Sequence, residues 1–270
     1  MDFKTLKATL KKNIVVRLRA YQMEFFLGSV LTSFYTALGA WLAYNVLFKN
    51  NLSEDFITYS GTGNYMSYII IGGLAFLFTV RTCLNVSRSL ISELREGTLE
   101  SLMLAPFRRA EYFAGNMLVQ TVTTLFETFV ATLVALPFGF RLGHTNFAAF
   151  ICVFLLSLLA FFAVSMLLGF VMLYTRDTYI SQNTLFASMA LLCGITFPVE
   201  YLPVGLQVVS KLIPVTDVVK MYRGTLLSGA ALSDITEGMI WVAALSSVYI
   251  VIGMGLMKKA EIAALEKIGG

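Results

Sequence analysis

"ELREGTLESLMLAPFRRAEYF" (residues 93–113) places seven charged residues in a stretch of 21, in a chain of 270 residues that is 57% hydrophobic and 13% charged. Gly97 and Pro106 punctuate it, and long apolar runs stand on both sides. A short polar island between two greasy segments is the pattern of a loop at a bilayer surface whose neighbours both cross the bilayer.

Working outward, the mean hydropathy of +0.77 lies far above that of soluble domains. The apolar residues gather into six runs, at about 25–48, 66–86, 114–136, 147–173, 180–197 and 239–257. Crossing a bilayer takes roughly 20 helical residues, and the fifth run is the shortest. The first 20 residues are polar and basic and do not read as a cleavable signal. Within them Phe3, Leu6, Leu10, Ile14 and Leu18 recur at helical spacing between lysines and arginines, which predicts an amphipathic helix lying on the membrane. The chain therefore reads as an all-α membrane protein. An interface segment (1–24) leads into a six-helix transmembrane domain (25–257), and a tail (258–270) follows.

The basic residues orient it. Lys4, Lys7, Lys11, Lys12, Arg17 and Arg19 precede the first run, and Arg81, Arg88, Arg95, Arg108 and Arg109 cluster around the 88–112 loop. Arg176 follows the fourth run, and Lys258, Lys259 and Lys267 follow the sixth. Only Lys49, Arg141, Lys211, Lys220 and Arg223 fall on the other side, so both termini and the 88–112 loop are expected in the cytoplasm. The net charge of +4 is this bias, together with affinity for anionic lipid headgroups, and calls for no nucleic-acid partner.

Several activities are weakened by what is missing. The chain has no G-x-x-x-x-G-K-[ST] loop to cradle nucleotide phosphates. His144 is its single histidine, and Cys83, Cys152 and Cys193 scatter through apolar runs as packing residues, without metal or disulfide spacing. No cofactor is expected on this chain, which reads as a non-enzyme; energy for any work it does comes from elsewhere.

On a helix, Glu93, Glu96 and Glu100 form one acidic stripe, with Leu99, Leu102 and Met103 on another face. Gly97 allows a bend and Pro106 ends the helix. Spacing alone leaves two readings: an element built to be pushed from the cytoplasm, or a solvated loop whose charges serve topology. The pattern E-x-x-x-G-T-L-E-x-L-x-x-x-P over Glu93–Pro106 resembles the cytoplasmic signature of type-2 (ABC-2) export permeases of ATP-binding-cassette transporters. The stretch 194–229, with its F-P-x-E-x-L-P, P-x-T and R-G, is similar to the same family's segment before the last span. The resemblance implies that 88–106 is a coupling helix docking on a separate ATPase through Glu93, Glu96, Gly97, Thr98, Leu99, Glu100, Leu102 and Pro106. It also implies that ATP and Mg sit on that partner, and that two permeases, identical or paired homologues, assemble in the plasma (inner) membrane.

In 198–229, Pro198, Pro203 and Pro214 cut the chain into pieces too short to cross. Two short helices dipping in from the outer side are expected, with Thr216 as an N-cap and Asp217 in the first turn; the alternative is an external loop packed on the spans. The resemblance makes this a re-entrant hairpin, in which Glu200 and Arg223 belong to the family's pattern. Glu127 is the one acidic side chain deep in a span and must face the bundle, protonated or paired. It lies near Thr124, and two readings remain for it: a border of the substrate route or permease–permease interface, or a residue knitting helices together. Phe34, Tyr35 and Asn45 on the first span are further candidates for that route, because the resemblance puts this span beside the pathway. The functional expectation is an exporter permease for a lipophilic or amphipathic compound: a drug, antibiotic, lipid or peptide. Alternatives are a lipid-linked glycan exporter of the same family and an ion-coupled secondary transporter.

Overall fold

The computed structural model describes residues 4–20, 22–49, 51–98, 101, 104, 109–175 and 177–266. In chain order the helices are α1 (Lys4–Ala20), α2 (Gln22–Leu42), α3 (Glu54–Ser60), α4 (Tyr65–Arg95), α5 (Arg109–Ala135), α6 (Phe147–Thr175), α7 (Tyr179–Leu192), α8 (Val204–Lys211), α9 (Pro214–Leu227) and α10 (Leu232–Glu266). No strand forms among the described residues; a single bridge joins His144 to Ser228.

Among the described residues, four helical stretches are long and apolar enough to cross a membrane: Tyr65–Ser89, Glu111–Phe138, Phe147–Thr175 and Leu232–Lys259. They coincide with the second, third, fourth and sixth apolar runs. The first run forms α2, of 21 residues, and a π-helical turn, Ala43–Leu47. The fifth forms α7, which has only 14 residues. At 1.5 Å per residue α7 reaches about 21 Å, short of the roughly 30 Å hydrocarbon layer.

Helix α6 is the centre. It is apolar on every side: one side packs on other helices, and Ile151, Leu155 and Tyr174 on the other are exposed, as suits a helix that also faces lipid. Val153, Ala160, Phe161 and Met172 are fully buried on it and join one core with Ile70, Phe78 and Cys83 of α4, Val218 and Tyr222 of α9, and Val242 of α10. Phe78 meets Phe154 edge-on at 5.6 Å between ring centres. The Ser157 and Tyr222 hydroxyls, 2.6 Å apart, satisfy each other inside this core, so neither is left dry and unpaired. That core and a second one of Val86, Tyr112, Phe113, Met166, Leu173 and Met257 hold α4, α5, α6, α9 and α10 in one body, and α1 packs on α5.

Two expectations about element ends need correction. The second apolar run continues without a break past residue 88, because Leu84, Val86 and Ile91 keep packing inward. Residues 88–95 are therefore the last two turns of α4, and the chain leaves the helix only at Gly97. Helix α9 begins at Pro214 and not at Thr216: proline's fixed φ and missing N–H suit the first helical position. Thr216 lies inside the helix and donates its hydroxyl to the Ser210 carbonyl at 2.7 Å.

Candidate functional site

A cavity of about 450 Å³ opens between α1, α4 and α5 at the basic end of the bundle. Its walls come from polar stripes at helical spacing. Arg81, Asn85, Arg88 and Ser92 share one face of α4, while Tyr112, Asn116, Gln120 and Glu127 share one face of α5. Thr9, Lys12 and Asn13 of α1 close the third side.

At the deep end Arg81 Nε lies 3.2 Å from Glu127 Oε2. The Glu127 side chain has no exposed surface, whereas that of Arg81 is 38% exposed, toward the cavity. A lone carboxylate at this depth is costly, and a facing cation relieves the cost. Beside them Gln120 Nε2 donates to Thr124 Oγ1 at 2.9 Å. Midway, Asn13 Nδ2 donates to Asn116 Oδ1 at 2.8 Å and ties α1 to α5. On the α7 side, Arg88 Nη2 donates to the Gln182 Oε1, and Arg95 Nη2 to Thr178 Oγ1 at 3.1 Å.

At the mouth, Glu93 is only 6% exposed. Its carboxylate accepts from Lys12 Nζ, from the Thr98 hydroxyl and from the Tyr112 hydroxyl at 3.1 Å. Burial alone would raise the Glu93 carboxyl pKa. The hydrogen bonds from Lys12 and Thr98, the Lys12 charge and the Tyr112 hydroxyl outweigh that and hold it below the ordinary carboxylate range. Immediately beyond, Gly97 has φ +72°, and the Thr98 N–H bonds back to the Glu93 carbonyl at 2.9 Å. This is a Schellman ending, with glycine at the left-handed position.

The expected docking residues thus divide. Glu93 turns inward and clamps three elements, while Glu96, Gly97 and Thr98 are exposed at the tip of the turn. Leu99, Glu100, Leu102 and Pro106 lie outside the described residues. The three glutamates do not form one exposed stripe, because the helix ends between the first and the last of them.

At the opposite end lie two short helices, α8 and α9. Pro203 caps α8 and Pro214 opens α9; Pro198 is buried and Glu200 exposed. Arg223 of α9 is 8% exposed, and its guanidinium donates to the carbonyls of Tyr68 (3.2 Å), Gly194 (2.6 Å) and Ile195 (2.8 Å). It also stacks 3.5 Å over the Tyr68 ring. Packing beside this group requires Gly72: a Cβ there would lie 2.2 Å from Arg223 Nη2 and 2.4 Å from the Ile195 carbonyl oxygen.

Among the proposed pathway residues, Glu127 lines the deep end of the cavity, and Thr124, buried behind the wall, accepts from the lining Gln120. Phe34 and Tyr35 are instead exposed on α2, where Phe34 meets Phe138 edge-on at 5.8 Å. Asn45 Nδ2 donates to the Trp41 carbonyl of its own helix at 2.9 Å. Sequence reading missed Asn13, Asn85, Arg88 and Asn116 as site residues, and missed Arg81 as the partner of Glu127. Their signal was the repeat of polar side chains three and four apart at the inner ends of two apolar runs.

Residues 5–227 match the ABC-2 type transporter family. The chain belongs to it. Curated relatives are a "Probable multidrug ABC transporter permease YbhR" of Escherichia coli strain K12 and its counterpart in Escherichia coli O157:H7. Each is 25% identical to this chain over 201 residues, covering 72% of the chain and 53% of the relative. This ABC-2 chain thus spans about half the length of the curated relatives it matches. What the described walls of its cavity offer is charge and hydrogen bonding to something that enters.

Proposed function

We propose that this chain is the permease subunit of an ATP-driven exporter, with the cavity between α1, α4 and α5 as the loading vestibule for a lipophilic or amphipathic substrate. The basic end of the bundle faces the cytoplasm, both termini included. The membrane is crossed six times: α2 makes the first crossing, and α7 with the α8–α9 hairpin completes the fifth. ATP and Mg are held by a separate P-loop ATPase that seats on the turn after α4, and a second permease completes the assembly.

The observation that carries this reading is the Glu93 clamp. Glu93 joins the exposed 96–98 turn to Lys12 of α1 and Tyr112 of α5. A push on the turn therefore acts on all three walls of the cavity at once. The rigid shaft is α4 itself, 31 residues or about 46 Å, which carries Arg81 and Arg88 on the same rod.

The test is reconstitution in lipid with the P-loop ATPase that copurifies with the chain. Glu96→Lys or Gly97→Val is expected to lower substrate-stimulated ATP hydrolysis about tenfold or more, corresponding to at least ~1.4 kcal/mol of coupling, with membrane insertion unchanged. Normal stimulation in both variants would overturn the docking role of the turn.

A further inference from the structure

We propose that the α1–α4–α5 cavity takes an anionic group, phosphate or carboxylate, carried on an amphipathic molecule, and that Arg88 is the residue that engages it. This rests on reading the cavity as a vestibule and names what that vestibule recognises.

The argument is one of charge matching. Six charged side chains line the cavity: Lys12, Arg81 and Arg88 against Glu93, Glu96 and Glu127. Lys12 is paired with Glu93 and Arg81 with Glu127. Glu96 is exposed at the turn, about two helical turns or ~12 Å beyond Arg88 along α4. Arg88 therefore remains as the inner charge with no carboxylate facing it among the described residues. Its hydrogen-bond partner, the Gln182 amide oxygen, is neutral, and its Nε is buried without a hydrogen-bond acceptor. A guanidinium offers five donors in a fork that fits two oxygens of a carboxylate or phosphate, so most of its donor capacity is unused. Asn85 Oδ1, one turn deeper, is likewise buried and unmatched, so a hydroxyl or amide next to the anion would meet an acceptor.

Position supports an amphipathic carrier. Arg88 lies at the last residues of the Tyr65–Ser89 stretch, the level of lipid headgroups if α4 spans the bilayer. Leu84 of α4 lines the same cavity, so an apolar part of the carrier meets an apolar wall beside the anion. A cationic head is disfavoured, because both inner carboxylates are already neutralised.

The anion can come from a membrane phospholipid or from a soluble compound, and the experiment separates these. The full-length chain, purified in neutral detergent without any ATPase, is titrated with phosphatidylglycerol, phosphatidylcholine or inorganic phosphate, and the thermal unfolding midpoint is followed. A preference for phosphatidylglycerol over phosphatidylcholine of about tenfold, lost in Arg88→Gln and kept in Arg88→Lys, supports the site with a lipid source. Stabilisation by inorganic phosphate with the same Arg88 dependence, and no lipid preference, supports it with a soluble source. No anion preference in the wild type overturns the proposal. So does an equal loss in Arg95→Gln, a neighbouring arginine outside the cavity. An unliganded unfolding midpoint of Arg88→Gln equal to that of the wild type shows that its loss of preference is not misfolding. Because no ATPase is present, failure here leaves the coupling experiment standing, and failed coupling leaves this one standing.

Discussion

Glu127 has no exposed surface and sits 3.2 Å from Arg81 Nε. In a fully dry interior, removing one partner of such a pair costs ~3–5 kcal/mol. Because Arg81 is more than a third exposed to the cavity, solvent screens part of that loss, and Glu127→Gln is expected to cost about 2 kcal/mol. The double variant Arg81→Gln/Glu127→Gln should recover a good part of it, since no charge is then stranded; a double-mutant cycle on thermal unfolding reads the coupling. Additive losses would show that the two residues act separately. Gly72 makes a second case. Gly72→Ala pushes a methyl into Arg223 and the Ile195 carbonyl, and overpacking of this kind costs about 1–3 kcal/mol. Gly255→Ala in α10, where a Cβ meets nothing within 4 Å, is expected to leave the unfolding midpoint unchanged.

Helix α4 serves two masters. Its outer two thirds pack on α6 through Ile70, Phe78 and Cys83, and its inner third turns a polar face to the cavity. The element ends where Gly97 adopts a left-handed conformation, and Glu93 locks that ending to α1 and α5. The lock depends on pH in a direction set by its partners. The Glu93 carboxyl pKa is lower in the folded chain than in the unfolded one. Its contribution to stability is therefore complete above the unfolded value of about 4.3 and is lost as pH falls through the folded value. The difference in unfolding midpoint between wild type and Glu93→Gln should be full near neutrality and shrink on acidification below about pH 4. A difference that is flat across that range would mean the carboxylate is not held by these contacts.

For the whole molecule, the number of crossings is the property most open to direct test. Four stretches meet the length and hydropathy needed to cross alone, and the proposed topology adds α2 and α7. Single cysteines at Lys7 and Asp55 flank α2; cysteines at Asp177 and Glu200 flank α7. Labelling of intact cells with an impermeant maleimide, in a background lacking Cys83, Cys152 and Cys193, is expected to reach Asp55→Cys and Glu200→Cys and to spare Lys7→Cys and Asp177→Cys. Equal labelling of either pair would remove that crossing. Under the proposed coupling, force on the turn travels to the cavity along α4, one unbroken helix over Tyr65–Arg95.

Composition and hydropathy by themselves determined that the chain is helical and membrane-embedded, where most of its long helices run, and that a polar turn separates α4 from α5. These follow from local physics, since any segment this apolar must satisfy its own backbone hydrogen bonds to enter lipid. The family patterns around Gly97 and Pro198–Arg223 were equally legible, being short and contiguous. The cavity was not. Arg81 and Glu127 are 46 positions apart in the chain, and a stripe of polar residues on one helix does not say which stripe on another it faces. Nor could spacing tell that Glu93 turns inward while Glu96 stays in solvent, or that Arg223 is buried on three carbonyls. Those outcomes depend on how helices pack and where a helix stops, and only the tertiary structure brings distant side chains close enough for charge to choose its partner.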